Sequence, residues 1–202
     1  MSKFRLLLGT KNSGKVEEAK EILAFPEEKL ELLSFREHEF SDVEETGDSY
    51  AENSLQKART ISEETDLPVL SDDSGLEVFA LGGAPGYRSA RYAGPDATDE
   101  ENLSRLMDEL EGVSERGARF VTVATLYLSP KERYVARGIL EGEIALSGRG
   151  DSGFGYDPVF VPEGFNKTLA ELGEERKNEI SHRRKALVKI RAELRTIQRG
   201  RN

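Results

Sequence analysis

Near its start the chain passes from an apolar run, Phe4 to Gly9, into the helix-forming stretch TKNSGKVEEAK. So compact an apolar run reads as a buried strand. Asn12 or Ser13 can cap the helix that follows, in which Val16, Ala19, Ile22 and Leu23 fall on one face. Pro26 ends that helix, and Leu30 to Phe35 makes a second strand. A strand, a helix and a strand in that order confine the chain to an α/β sheet.

The remaining elements fit that class. Phe40 to Asp48 (FSDVEETGD) is an acidic loop. Ser49 to Thr65 reads as a helix, with Ser49 and Glu52 placed for a capping box. Pro68 to Leu70 is a short strand running into SDDSG, and Leu76 to Ala80 extends it. LGGAPGYRSARYAGP has no helical period and reads as a long glycine-rich loop, a length uncommon unless it serves a site. Asp99 to Glu111 is an amphipathic helix carrying Leu103, Leu106, Met107 and Leu110. Ala118 to Leu128 and Arg133 to Leu146 are β-rich runs separated by Ser129 to Glu132, which predicts an antiparallel hairpin. A second glycine-rich stretch leads to Val159 to Val161, then short helical turns, then a basic helix from about Ser181 to Arg199. The expected fold is α/β, an elongated mixed sheet with flanking helices. It forms one domain over residues 1–202, with two lobes around a central nucleotide-binding cleft.

With 202 residues, the chain has room for a sizeable apolar interior. No apolar run approaches the roughly 18 residues of a membrane span, and the first ten residues lack a signal peptide's core and cleavage site. There is no cysteine, which excludes disulfides and thiol chemistry and suits the cytoplasm. The net charge of −9 argues against a general nucleic-acid binder. That charge is uneven: Arg176 to Asn202 carries +8 and the rest −17. An acidic body with a basic end can still bind a polyanion locally, especially where carboxylates hold a divalent cation.

Four stretches carry the chemistry. Gly9 to Lys15 has the Gly-x-x-x-x-Gly-Lys spacing of a P-loop, but Val16 stands where a Ser or Thr would hold Mg²⁺, so a P-loop NTPase is excluded. A glycine turn ahead of a helix still directs backbone N–H groups and the helix dipole at an anion. Thr10, Lys11, Asn12, Ser13 and Lys15 add polar groups and cations. Asp72 and Asp73 are adjacent on a strand end, where alternation lets one face a site while the other braces it. Glu44 and Glu45 on the acidic loop supply further carboxylates, and Mg²⁺ on a triphosphate needs only one or two. Ser152 to Pro158, SGFGYDP, combines glycines for close backbone approach with aromatic faces for a planar base. Glu175 to Arg183 places Lys, Ser, His and Arg at the start of the last helix, without the spacing of a Ser-His-Asp triad.

Together these stretches resemble the inosine triphosphate pyrophosphatase family, the XTP/dITP diphosphatases. The opening Thr10 to Lys15, SDDSGLEV, LGGAPGYRSARYAG, GFGYDPVF and ISHRRKAL match the family's motifs in order and spacing, from Leu7 to about Leu187. The resemblance implies Mg²⁺-dependent hydrolysis of the purine nucleoside triphosphates ITP, dITP and XTP to the monophosphate and pyrophosphate. That activity would cleanse the nucleotide pool, in a cytoplasmic homodimer with no nucleic-acid or membrane partner. Thr10, Lys11, Asn12, Ser13, Gly14 and Lys15 would cradle the phosphates. Asp73 would be the general base and, with Glu44, would hold the metal. Lys57 and Ser74 would contact substrate, and Phe154, Gly155, Tyr156 and Asp157 would line the base and sugar pocket. Lys177, His182 and Arg183 would close over the base, with Arg183 and His182 reading its edge.

Overall fold

The computed structural model describes residues 3–24 and 30–200. Among them the strands form one six-stranded sheet with β1 (Phe4–Leu8), β2 (Leu30–Leu33), β3 (Val69–Val78), β4 (Gly117–Ser129), β5 (Glu132–Ile144) and β6 (Phe160–Pro162) in the order β2-β1-β3-β4-β5-β6. β1 is parallel to β2 and to β3, whereas β5 and β6 are antiparallel. Two residues join β4 to β5, a connection that only antiparallel neighbours can use. The helices are α1 (Ser13–Ile22), α2 (Tyr50–Thr65), α3 (Asp99–Glu109), α4 (Leu169–Ile180) and α5 (His182–Gly200). The chain is thus a mixed α/β protein with flanking helices, as its opening pattern requires.

The chain divides into two compact units. Among the described residues, one comprises those up to Asp73, Thr122–Gly138 and those from Arg183 onward; the other is Ser74–Val121 with Ile139–His182. Alternation along β1 and β3 builds the first unit. Leu6, Leu8 and Leu70 pack with Val16, Ala19, Ile22 and Leu23 around α1, and with Ala186, Leu187, Ile190 and Leu194 of α5. On the other face Leu7 and Val69 meet Ala58 and Ile61 of α2. Leu6, Leu7 and Leu8 are therefore buried in succession, because both faces of β1 are covered there, while Arg5 is exposed. The second unit has its own cluster, in which Leu76, Val78, Leu106, Leu110, Phe120, Ile144, Val159, Phe160 and Leu169 are fully or almost fully buried.

Local chemistry sets the helix starts. Asn12, not Ser13, caps α1 by accepting the Lys15 N–H. The expected stop at Pro26 lies outside the described residues. Ser49 caps α2, but no capping box closes: the Glu52 carboxylate accepts the Asp48 N–H instead of that of Ser49. Gly173, at φ 77°, interrupts α4 and accounts for the broken helical pattern seen in the sequence.

Two expectations need correction. The short strand at Pro68 to Leu70 continues through the run at Leu76 as expected, but it is one strand that ends at Val78, so Asp72 and Asp73 lie within β3 and not at a strand end. A 3₁₀ turn, Phe79–Leu81, replaces the expected end of the strand, and the long glycine-rich stretch after it carries a second, Gly86–Arg91. Gly75 links the two corrections. A Cβ there would meet the Gly86 carbonyl oxygen at 2.1 Å and Ser89 Oγ at 2.6 Å, so the strand continues only because the turn can press against bare backbone. Gly75→Ala should therefore destabilise the protein by roughly 1–3 kcal/mol or more, as overpacking against rigid backbone does, measurable as a lower urea midpoint with unchanged slope.

Candidate active site

In the first unit, β1 ends in a turn held tightly to β3. The Gly9 N–H donates to the Leu70 carbonyl at 2.8 Å, and a side chain at Gly9 would strike Val69. Thr10 Oγ1 accepts the Asn12 N–H, and Asn12 in turn caps α1. No acidic residue occupies the first turn of α1, so its positive end is uncompensated. The Ser13 Oγ accepts from the Arg36 guanidinium at 3.3 Å, and Lys11 pairs with Asp42 at 2.9 Å.

The strongest charges meet at Asp72. Its Oδ2 accepts from Lys15 Nζ at 3.0 Å and Arg183 Nε at 3.3 Å, while its backbone carbonyl accepts from Lys57 Nζ at 2.8 Å. Arg183 also donates through Nη1 to Glu18 at 2.7 Å. Burial opposes the charge on Asp72, but Lys15, Arg183 and Lys57 outweigh it and hold the carboxyl well below the usual carboxylate range. Burial lowers the Lys15 ammonium against the pull of Asp72, helped by the nearby cations Arg183 and Lys57.

Asp73 points to the opposite face of β3, toward α2. Its Oδ2 accepts from Asn53 Nδ2 at 3.1 Å. The orientation of that carboxamide is fixed, since Asn53 Oδ1 accepts the Gly47 N–H of the acidic loop at 2.8 Å. Burial and then the neighbouring Glu45 push the Asp73 carboxyl up to about 6, against the opposing influence of Lys57, Asn53 and Lys15. Two adjacent aspartates thus have opposite tendencies: Asp72 is pinned as an anion and Asp73 is poised to exchange a proton.

The two glutamates of the acidic loop differ in their surroundings. Glu45 pairs with Lys57 and lies close enough to raise Asp73, whereas Glu44 is exposed. Neighbouring loop residues diverge, and this one-position difference is invisible in a Glu-Glu pair. No group of three or more His, Cys, Asp or Glu suited to a metal occurs among the described residues. Glu45 and Asp73 remain, two hard oxygen donors whose mutual repulsion a divalent cation would relieve. That donor set fits Mg²⁺, which takes few protein ligands.

In the second unit the SGFGYDP segment closes on itself. Asp157 Oδ2 accepts the Phe154 N–H at 2.9 Å and pairs with Lys177 Nζ, which lies 4.2 Å from the centroid of the Phe154 ring. Gly153 has φ 86°, and a Cβ there would collide with the Asp157 carboxylate at 2.2 Å. The Gly155 N–H donates to Asp99 at 2.8 Å, and the buried Tyr156 hydroxyl donates to the Ser89 carbonyl at 2.8 Å. Phe154 remains 48% exposed, an aromatic face open to a planar partner. His182 is buried and stacks on Phe120 at 4.8 Å. Ser74 is half-buried.

The structure therefore groups Lys15, Lys57, Asp73 and the Thr10–Asn12 turn in one unit, and Phe154, Asp157 and Lys177 in the other. Arg183, expected to read the edge of the base, lies in the first unit. That guanidinium is 4% exposed and engaged by Asp72 and Glu18. Sequence reasoning named Glu45 only beside Glu44 as an acidic-loop carboxylate, and missed Glu18, Asn53, Ser89 and Asp99. Helical spacing could have found two of them, since Asn53 precedes Lys57 by four residues and Glu18 follows Lys15 by three.

Substitutions at the two aspartates should have opposite effects on stability. Asp72→Asn leaves buried cations without their anion and should cost about 3–5 kcal/mol at pH 7. Asp73→Asn in EDTA-containing buffer should be more stable than the parent at pH 8, by roughly 1–3 kcal/mol at about 1.4 kcal/mol per pKa unit. The folded pKa of Asp73 lies above its unfolded value, so its contribution is favourable below about pH 4 and is lost as pH rises through 6. The advantage of Asp73→Asn should fade over that same window in urea titrations.

The Ham1 family model matches residues 6–193. The dITP/XTP pyrophosphatase of Oceanobacillus iheyensis is 42% identical over 96% of this chain and 99% of its own length. That of Vibrio parahaemolyticus is 46% identical over 94% and 96%. Among solved structures, a HAM1 protein from Coxiella burnetii superposes with a TM-score of 0.88 at 40% identity, covering 96% of this chain and 99% of that one. The Staphylococcus aureus Ham1 protein gives 0.85 at 40% identity over 95% and 98%. With a family match across nearly its whole length and relatives this similar, the chain belongs to the Ham1 family.

Proposed function

We propose that this protein hydrolyses the purine nucleoside triphosphates dITP, XTP and ITP between the α- and β-phosphates, releasing the monophosphate and pyrophosphate, with Mg²⁺. The observation that carries the reading is the divided aspartate pair, with Asp73 raised to about 6 beside Asn53 and Glu45 while Asp72 stays ionised between Lys15 and Arg183. The names of the relatives, dITP/XTP pyrophosphatases, support the substrate class.

Asp73 is the general base. Asn53 holds its Oδ2 in place, and its elevated pKa brings proton affinity close to working pH, where a base is most effective. It takes a proton from water as the water oxygen bonds to phosphorus and the bridging oxygen departs with pyrophosphate. Lys15, the first N–H groups of α1 and the Thr10–Asn12 turn offset the negative charge that grows on the leaving group. Glu45 and Asp73 would hold Mg²⁺, which supplies charge neutralisation at the phosphates. Lys57 ties Glu45 to the backbone of Asp72.

Selection among bases falls to Phe154, Asp157 and Lys177. The Phe154 ring offers a stacking face, and Lys177 is a cation donor held by Asp157 beside it. Hypoxanthine and xanthine present an accepting 6-oxo group and a donating N1–H, and adenine reverses both. A fixed donor toward O6 is left unpaired against adenine, which costs heavily in a buried site.

The deciding measurement is pyrophosphate release from dITP, XTP, ITP, GTP and ATP, with Mg²⁺ or EDTA. Mg²⁺-dependent cleavage of dITP, XTP and ITP far above ATP and GTP is expected, and Asp73→Asn should lower kcat by on the order of 10²–10⁴, the usual share of a general base. Equal cleavage of all five would remove the selectivity, and no cleavage would remove the enzyme. Lys177→Ala should reduce the dITP:dATP ratio of kcat/KM by about tenfold or more through loss of the O6 donor; an unchanged ratio would place selection elsewhere.

A further inference from the structure

Glu18 lies on α1 one turn beyond Lys15 and is 8% exposed. A carboxylate buried so far must be paired, and Glu18 accepts the Arg183 Nη1 at 2.7 Å. The other arm of the same guanidinium, Nε, reaches Asp72 Oδ2 at 3.3 Å, and Lys15 Nζ reaches that same oxygen at 3.0 Å. Two cations therefore share one carboxylate oxygen, while a second carboxylate draws off part of the stronger donor. The formal charges of Lys15, Glu18, Asp72 and Arg183 sum to zero.

Arginine's planar fork favours two parallel bonds to one carboxylate, a grip that a lysine point charge cannot match. If Glu18 did not hold Nη1, the guanidinium could turn both arms onto Asp72 and displace the Lys15 ammonium. We infer that Glu18 is a positioning residue: by dividing Arg183 between two carboxylates, it reserves Asp72 for Lys15 and so fixes the cation that meets the departing pyrophosphate. The inference rests on the reading of Lys15 as a phosphate-binding group. Glu18 itself touches no substrate; it acts through Arg183 and Asp72.

The test uses the full-length protein with inorganic pyrophosphate and MgCl₂ in calorimetry, alongside dITP turnover and thermal melts. Glu18→Gln should weaken pyrophosphate binding and raise KM for dITP on the order of tenfold, the scale on which outer partners of a binding group act. Its kcat should stay within about threefold of the parent, the signature of lost binding and not of lost chemistry. Glu18→Asp, which keeps the charge, should recover part of the affinity. Glu18→Gln with Arg183→Gln removes the competitor together with its restraint, so pyrophosphate affinity should return to within about threefold of the parent. Pyrophosphate carries no base, so base recognition does not enter that comparison.

A Glu18→Gln protein that melts earlier but binds pyrophosphate and dITP as the parent does would overturn the inference and leave a structural ion pair. So would a double variant as weak as Glu18→Gln. If Glu18→Gln does not fold, the double variant, free of the unpaired guanidinium, decides by the same threshold. Lys15→Ala separates the two levels of the argument. Unchanged pyrophosphate affinity in Lys15→Ala, with dITP turnover intact in the parent, would remove the role of Lys15 and the inference with it. A parent that neither binds pyrophosphate nor cleaves dITP would remove the proposed function itself.

Discussion

The buried negative charge of Asp72 is the interaction on which the rest of the first unit depends. An isolated carboxylate at that depth would be untenable, so the fold supplies a lysine from α1, an arginine from the start of α5 and, on its carbonyl, a lysine from α2. Each partner comes from a different helix, which means that β3 orients three helices through one residue. Apolar packing of Leu8, Leu70, Ala19 and Leu187 brings α1 and α5 to the strand. Packing alone tolerates small slips, however, and charge-assisted hydrogen bonds do not.

One consequence is felt at the next residue. Strand alternation turns Asp73 away from Arg183 and toward Asn53, Glu45 and Lys57 on the side of α2. The same short peptide therefore holds a carboxylate that cannot be protonated near neutrality and one that exchanges its proton there. Two like acids acquire distinct roles from their surroundings alone. The carboxamide of Asn53 completes the arrangement, because its Oδ1 is occupied by the Gly47 N–H and only its Nδ2 can face Asp73.

Periodicity made the elements legible. The Phe4–Gly9 run, the α1 stripe and the β4–β5 hairpin all follow from patterns that solvent and packing impose locally. The motif residues of the site were legible too, as types and spacings: Asn12 as a cap, Lys15 at the helix start, Asp157 beside two glycines. What the pattern could not express was which partner each charge would take. Glu44 and Glu45 are identical in one dimension and differ only once the loop is anchored through Asn53. Arg183 reads as a free cation at a helix start until the depth of Asp72 is known. The place of Asp72 and Asp73 inside β3 was hidden for a similar reason. SDDSG is turn chemistry by composition, and only the contact of Gly75 with Gly86 explains why it stays extended.

The basic end of the chain shows why charge must be placed before it is counted. A surplus of +8 from Arg176 onward suggests a surface that gathers anions. In α5 that surplus is used in several different ways. Arg183 is neutralised by Glu18 and Asp72. Lys189 donates to the Arg137 carbonyl and Arg191 to that of Ala24, so both cations serve the internal hydrogen-bonding of the fold. The stripe Ala186, Leu187, Ile190 and Leu194 then seals the helix against the sheet. The helix is basic chiefly because the face opposite an apolar stripe has to be polar, and the deeply buried Arg183 is the cation that holds Asp72.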